Sequence, residues 1–334
     1  MDRKRKFQIN KCEASKCLGQ DKDNKCDSAL SGVTHHNGYR GKICDIWHRK
    51  GDERLFTDWL DELKRNSSLL RGREENLKVT PPYVVTHTCV VELIFRMCKD
   101  LKQPADTRYR TVELFDRFIA NQFIDLVKSV EKKQDQMSEW DGIIEKVSSN
   151  ALLRVISCIQ LASKYCAHST IVPPKTAHLY LNKRGLSISV QNILASEARV
   201  FKSLNFDIGV PTLLVYVDTL LPLMRDIIHD KIYTVCINIL DIIYLQRNYI
   251  FKSLSDKIIK NWTHSHSNKL KFSSYEFDGL FCGAATITTA VRIYYPNNRH
   301  TVVMVNNKLA NYIEKPAGDI MTFSNVILQT VGIQ

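Results

Sequence analysis

The segment from Ala151 to Ala167, ALLRVISCIQLASKYCA, constrains the fold most because it is apolar on almost every side. Its polar side chains form only a narrow seam, at Arg154, Ser157, Gln160 and Lys164. A helix that is apolar around most of its circumference has to be enclosed by other helices. Apolar periodicity predicts such neighbours at 83–101, 107–127, 175–182 and 190–204. The sequence therefore predicts a compact, all-α domain of five helices with this segment at its centre.

Glu197 lies inside the apolar stripe of the last of these helices. The stripe consists of Val190, Ile193, Leu194, Phe201 and Leu204. A carboxylate is rarely buried without a partner, because removing its water costs several kcal/mol unless a cation and hydrogen bonds replace that water. Glu197 is therefore expected either to meet a cation inside the protein or to lie in a surface where another molecule supplies the donors.

Length and composition limit the remaining alternatives. With 334 residues, of which 44% are hydrophobic, the chain is expected to form two packed units or one unit with long appendages. No segment approaches the roughly 18 uninterrupted apolar residues of a membrane helix, and the start, MDRKRK, does not resemble a signal peptide. We expect a soluble, intracellular protein. Its ten scattered cysteines are expected to be reduced thiols.

Residues 1–52 are predicted to form a basic, largely disordered tail, because they lack apolar periodicity. The run Arg3 to Lys6 favours a nuclear address or a nucleic-acid contact, with a solvated tail as the simpler alternative. Several potential zinc ligands occur here: Cys12, Cys17, Cys26, Cys44, His35, His36 and His48. Their spacing fits no closed tetrahedral pattern, so we predict no metal site.

Three further regions follow the tail. Residues 53–80 are predicted to contain one short helix and a linker. Residues 81–211 form the predicted five-helix domain, in which 128–149 is interpreted as an exposed loop with a short helix near Trp140. Residues 212–334 form a C-terminal helical region.

Several segments of the five-helix domain are similar to the cyclin box. They are LFDRFI at 114–119, LASKYC at 161–166, the Pro173-Pro174 helix start, and ILASEARVFKSLNFDIGVPT at 193–212. They occur in the order found in cyclins and cover about residues 80–212. LLRVISCIQLASK, FKSLNF and the Pro211-Thr212 and Tyr216-Val217-Asp218 stretches more closely resemble cyclin-like factors of meiotic crossover maturation. The resemblance implies a cyclin fold and a nuclear protein on meiotic chromosomes.

The resemblance also implies a set of partner-binding residues. In cyclins, a lysine that closes the central helix and a glutamate in the fifth helix contact a cyclin-dependent kinase, and Lys164 and Glu197 fill these positions. Apolar kinase contacts of the family correspond to Tyr165, Phe206 and Ile208. The alternative for Lys164 and Glu197 is an internal ion pair that only stabilises the helix junction.

The first helix departs from the family pattern. Cyclins carry there an arginine that pairs with the aspartate corresponding to Asp116, within a surface that docks substrate peptides. Here the stretch reads YVVTHTCVVEL, which contains no arginine. Asp116 is therefore expected to have a structural role with another partner, and His87 and Arg154 are the candidates. Substrate docking on this surface is not predicted.

Beyond Pro211, apolar runs recur at 213–224, 232–251, 279–295 and 320–333. Small residues in the third run would let a helix pack closely at a second centre: Gly283, Ala284, Ala285 and Ala290. This pattern favours a degenerate second cyclin-like fold. An irregular helical extension that completes the first core is the alternative.

Two classes of function remain. The first is a non-catalytic, cyclin-like regulatory protein that binds a cyclin-dependent kinase, with meiotic recombination proteins as further partners. The second is a basic helical adaptor that binds nucleic acid or recombination or transcription proteins without a kinase, as the net charge of +12 permits. The chain has no phosphate loop, nucleophile elbow, HExxH motif or paired C-x-x-C motif, so we predict neither an enzyme nor a cofactor.

Overall fold

The computed structural model describes residues 57–65, 87–130, 150–166, 169–261 and 278–332. All of them fall within one compact unit, Tyr39–Gln334. The described residues form helices and their connections, without a β-strand, which confirms the predicted all-α class. The predicted basic tail with its cysteines and histidines, and residues 131–149 of the predicted loop at 128–149, with Trp140, lie outside the described residues.

The five helices predicted between residues 83 and 204 are all present, and we call them the first set. Their bounds are α1 Thr88–Asp100, α2 Ala105–Val130, α3 Ala151–Cys166, α4 Pro174–Lys183 and α5 Val190–Ser203. Side chains cap two of the starts: His87 accepts from the backbone N–H of Cys89, and Ser189 from that of Asn192. Helix α2 continues to Val130, so the predicted loop at 128–149 begins later than expected. Residues 57–65 are also helical and bury Leu60 and Leu63.

Helix α3 is the centre of this set, as predicted. All residues from Val155 to Ser163 are buried, and α2 and α5 pack against the helix. Two buried hydroxyl groups of α3 donate hydrogen bonds to carbonyl groups of the same helix: Ser157 to that of Leu153, and Ser163 to that of Gln160. Buried polar groups that are paired in this way add little cost to an apolar core.

The helices from Leu213 onward form a second set, which contains more helices than the apolar runs predicted. Its elements are α6 Leu213–Leu220, a 3₁₀ turn Leu221–Met224, α7 Ile232–Leu245, α8 Arg247–Asn261, α9 Gly279–Tyr294, α10 Arg299–Ile313 and α11 Ala317–Val331. The sequence did not predict α10, because its buried positions Val302, Val305 and Leu309 alternate with exposed apolar and polar residues. None of the described helices is long and apolar enough to cross a membrane.

Helix α9 takes the central position in the second set. Every residue from Gly279 to Val291 is buried, and α6, α7, α10 and α11 pack against it. The small side chains allow this approach, since a Cβ added at Gly283 would lie 3.3 Å from the backbone carbonyl carbon of Tyr216. The second set thus also has one helix enclosed by others, while its assignment as a second cyclin-like unit stays a prediction.

The two sets of helices share one continuous core. Tyr109 of α2 stacks on Tyr244 of α7 with ring centroids 4.6 Å apart, and its hydroxyl donates to Asp241 at 2.6 Å. Arg108 adds an ion pair to the same carboxylate at 2.5 Å. The domain boundary at residue 211 remains a prediction, because these contacts join the helices on its two sides.

Gly279→Ala is expected to destabilise the protein, because the added Cβ would lie 2.1 Å from Cε2 of Tyr216. The ring must then move within a packed core, at a cost of about 1–3 kcal/mol in the free energy of unfolding. Gly318→Ala is the matched control, since a Cβ there meets nothing within 4 Å. Urea denaturation measures both variants, and equal stabilities would contradict the assigned packing.

Candidate docking surface

Lys164 and Glu197 form an ion pair that joins the end of α3 to the middle of α5. The Lys164 Nζ lies 2.5 Å from the Glu197 Oε1. The Glu197 side chain is only 8% exposed, whereas that of Lys164 is 44% exposed. The structure therefore shows the first of the two expected arrangements, since the carboxylate meets a cation of its own chain, and that cation is partly exposed to solvent.

Large apolar side chains on the same two helices and just beyond α5 remain exposed. Tyr165 follows Lys164 and is 47% exposed, while Leu194, one turn before Glu197 on α5, is 46% exposed. Phe206, just beyond α5, is 62% exposed. We define the docking surface as Lys164, Tyr165, Leu194, Glu197, Phe206 and Ile208. Clustered exposed apolar side chains mark an interaction site more often than scattered ones do.

The chain reverses sharply after α5, and this turn presents Phe206. Asn205 and Phe206 both adopt left-handed backbone, with φ of 53° and 60°. Such φ values are costly for residues other than glycine and persist where the surroundings hold them. Here the Phe206 ring packs edge-on against Phe201 at 5.0 Å, and Asn121 of α2 donates to the carbonyl of Ser203 at 2.7 Å. Ile208, predicted as a contact residue, is half-buried against the core.

Arg110 contacts the docking surface from the side of the core, and the sequence analysis did not predict a role for it. This buried side chain of α2 donates to the carbonyl of Ile208 at 2.9 Å and also to that of Val210. Its guanidinium lies 4.5 Å from the centre of the Tyr165 ring. A single arginine therefore holds both the turn after α5 and the aromatic ring beside Lys164. The sequence signal that could have revealed it is an arginine amid the buried positions of α2.

Glu113 lies one turn after Arg110 and is fully enclosed. The hydroxyl of Tyr244 donates to its Oε1 at 2.6 Å, while its Oε2 is buried with no hydrogen-bond partner. Burial raises the pKa of Glu113 to about 7, against the smaller opposing effects of the Tyr244 hydrogen bond and of Arg110, Arg247 and Arg117. In such a site the neutral carboxyl group has a lower free energy than the carboxylate.

Asp116 is buried, as expected for a structural residue, but its surroundings differ from the sequence expectation. It lines a cavity of about 20 Å³ together with Tyr244 and Arg247, which belong to the second set of helices. Among the contacts described for the two predicted partners, His87 caps α1 and Arg154 donates to Ser196. The arginine near Asp116 therefore comes from α8, about 130 residues further along the chain, and local sequence could not have indicated it.

Metal ligands do not cluster in the part of the chain that the structure describes. No group of three or more histidine, cysteine, aspartate or glutamate side chains is placed to hold an ion there. The described cysteines are all free thiols: Cys89, Cys98, Cys158, Cys166, Cys236 and Cys282. The cysteines and histidines of the basic tail lie outside the described residues.

Residues 67–209 match the family model of the cyclin N-terminal domain. The matched segment contains all of α1 to α5 and all of the docking surface. The predicted resemblance to cyclins is therefore confirmed for this segment. The assignment of particular side chains to a kinase interface stays a prediction.

Two curated relatives extend this result. The chain is 29% identical to mouse cyclin N-terminal domain-containing protein 1 over 214 residues, which are 62% of this chain and 64% of the relative. It is 28% identical to the human protein of the same name over 214 residues, 61% of this chain and 64% of the relative. The match spans less than two thirds of the relatives' length.

A solved structure is also similar. It is the X-ray structure of a viral cyclin from herpesvirus saimiri, at 15% sequence identity and a TM-score of 0.48. The similarity covers 81% of this chain and 97% of the viral protein.

Glu113→Gln is expected to stabilise the protein at high pH. The pKa of Glu113 rises from an ordinary 4.5 to about 7 on folding, so the folded protein holds one proton more than the unfolded chain between these pH values. Stability therefore falls as pH rises through this window. Glutamine stays neutral and can still accept from Tyr244, so the variant gains up to about 3 kcal/mol above pH 7 and little below pH 4.5.

Urea denaturation at pH 4.5 and pH 8 measures this difference. Asp125→Asn is the control, because Asp125 is an exposed carboxylate on the same helix and the exchange is chemically equivalent. A Glu113→Gln variant that is less stable than the wild type at pH 8 would show that the carboxylate is needed in its charged form.

Proposed function

We propose that this chain is a non-catalytic, cyclin-like regulatory protein that binds a cyclin-dependent kinase through the docking surface. The carrying observation is the position of the Lys164–Glu197 pair, which lies at the edge of exposed apolar side chains instead of inside the core. The cyclin N-terminal domain at 67–209 supports the choice of partner.

The surroundings of the ion pair favour an interface over a purely structural role. A structural pair between α3 and α5 needs no exposed aromatic rings beside it, yet Tyr165 and Phe206 both leave much of their surface in water. Burying such apolar area contributes about 25 cal/mol per Å² on binding. The free ammonium donors of Lys164 can meet acceptors of the partner in the same contact.

A kinase bound in this way is regulated by population shift. If the docking surface contacts the mobile regulatory helix of the kinase better in the active position, binding favours that position by the difference in contact free energy. No chemistry by the cyclin-like chain is required. Its own side chains bind and orient the partner.

Leu194→Glu is expected to weaken kinase binding at least about tenfold, because it places a charge at the centre of an apolar contact. Leu194 is exposed in the free protein, so folding is expected to be unaffected. Met304→Glu, an exposed apolar position on α10, is the matched control and should bind as the wild type does. Biolayer interferometry against a panel of purified cyclin-dependent kinases measures the affinities.

Exchange of the two charges, Lys164→Glu with Glu197→Lys, tests the ion pair in the same assay. The exchanged pair can still form within the chain but presents an acid to the partner, so binding should fall while the thermal midpoint changes little. Full binding by the exchanged variant would assign the pair a structural role only. The absence of any bound kinase, or equal losses from Leu194→Glu and Met304→Glu, would exclude the proposed surface.

We also propose that the protein acts in the nucleus on meiotic chromosomes and promotes crossover maturation together with recombination proteins. The support is the resemblance carried by LLRVISCIQLASK and FKSLNF, together with the relatives found by comparison. An adaptor that binds nucleic acid without a kinase is the second candidate, favoured by the net charge of +12.

Affinity purification of the full chain from meiotic tissue, followed by mass spectrometry, tests the biological setting. The expected result is a kinase together with recombination proteins, and the Leu194→Glu chain should lose the kinase. Recovery of recombination proteins in equal amount with both chains, without a kinase, would support the adaptor and contradict the kinase proposal.

A further inference from the structure

Arg154 is held in a fixed position at the start of α3, outside the docking surface. Its Nη1 donates to Ser196 Oγ on α5 at 2.6 Å. Ser196 Oγ in turn shares a hydrogen bond of 2.8 Å with Ser157 Oγ. The guanidinium also lies 5.9 Å from the centre of the Phe118 ring. An arginine fixed by a hydroxyl and a ring has most of its donors left for another molecule.

Two further cations follow along α5. Arg199 is one turn after Ser196, and Lys202 is one turn after Arg199, and both are exposed. We define Arg154, Arg199 and Lys202 as the cation cluster. Arg199 is five residues after Leu194, about 140° around the helix, so it lies on a different side of α5 from Leu194, and Lys202 lies between the two, about 80° from Leu194.

The cation cluster has no acidic counterpart among the described residues. Helix α3 contains no aspartate or glutamate, and the one acid of α5, Glu197, is paired with Lys164. Asp125, the exposed acid on neighbouring α2, forms none of the described ion pairs. Burial and then the charge of Arg199 lower the pKa of Arg154, as expected for two cations close together. An anion bound between them would remove this repulsion.

We propose that the cation cluster binds the phosphate group of a phosphorylated serine or threonine in a partner protein. A phosphate monoester carries about −1.5 to −2 charges and three acceptor oxygens, which match two guanidinium groups and an ammonium group. Arginine binds such groups through two parallel hydrogen bonds, and this makes it the usual residue for phosphate recognition.

The size of the cluster favours a phosphorylated protein segment over nucleic acid. Nucleic-acid affinity comes from a series of phosphate contacts along an extended basic surface. Here Arg154 of α3 and Arg199 of α5 lie close enough for their charges to interact, and Ser196 fixes Arg154. Arg199 faces a different side of α5 from Leu194, so a phosphorylated partner bound there leaves Leu194 open to a kinase.

Fluorescence anisotropy tests the site with the full chain and no kinase, so the result does not depend on the proposed function. The probe is a fluorescein-labelled peptide with one phosphothreonine among alanine and glycine, and its twin carries unmodified threonine. The phosphopeptide should bind at least about tenfold tighter than the twin. Arg199→Gln should remove this difference, and Arg199→Lys should keep part of it.

Lys252→Gln is the matched control, because Lys252 is an exposed cation on α8 and its loss changes the net charge equally. It should leave phosphopeptide binding unchanged. Equal binding of phosphopeptide and twin would overturn the proposal, as would equal losses from Arg199→Gln and Lys252→Gln. Thermal melting checks that Arg199→Gln is folded.

A 20-base-pair DNA duplex as competitor separates the two sources of phosphate. Only weak displacement of the phosphopeptide, with no effect of Arg199→Gln on duplex binding, is expected. Tight duplex binding that Arg199→Gln abolishes would assign the cluster to nucleic acid and overturn the proposal.

Discussion

The guanidinium of Arg110 is the interaction on which the docking surface depends. This buried group donates hydrogen bonds to two carbonyl groups after α5 and lies against the face of the Tyr165 ring. The carboxyl group of Glu113 is also nearby. A buried cation is tolerated where hydrogen bonds and the face of an aromatic ring replace its water. Because these partners lie on three different segments, one side chain fixes their relative positions and thereby the exposed face above them.

The same group of residues connects the surface to the second set of helices. Glu113 accepts from Tyr244 of α7, and the Tyr244 ring stacks on Tyr109 of α2. A polar chain therefore runs from the turn after α5, through Arg110 and Glu113, into α7. The second set is needed to complete the surroundings of the first, because without Tyr244 the Glu113 carboxyl would lose its one described hydrogen-bond donor.

The sequence could predict those features that follow from local patterns. An all-round apolar segment had to be central, and Glu197 in an apolar stripe had to meet a cation, which proved to be Lys164. The sequence could not predict Arg110 or the approach of Arg247 to Asp116, because these depend on segments about 100 or more residues apart. The sequence also could not predict the left-handed backbone conformation of Phe206, because only tertiary packing imposes that conformation on such a residue.

The two central helices differ in the partners of the cation near their C-terminal ends. Helices α3 and α9 both have 16 residues, and Arg292 lies two residues before the end of α9 just as Lys164 does in α3. Lys164 meets a carboxylate, whereas Arg292 donates to the neutral oxygens of Ser324 and Asn325 on α11. The second set thus also has a cation, Arg292, that connects its central helix to a neighbouring helix. The acceptors of Arg292 are uncharged, so this connection is not an ion pair. Repetition of the architecture preserved the packing of the core, while the ion pair between the central helix and its neighbour occurs in the first set.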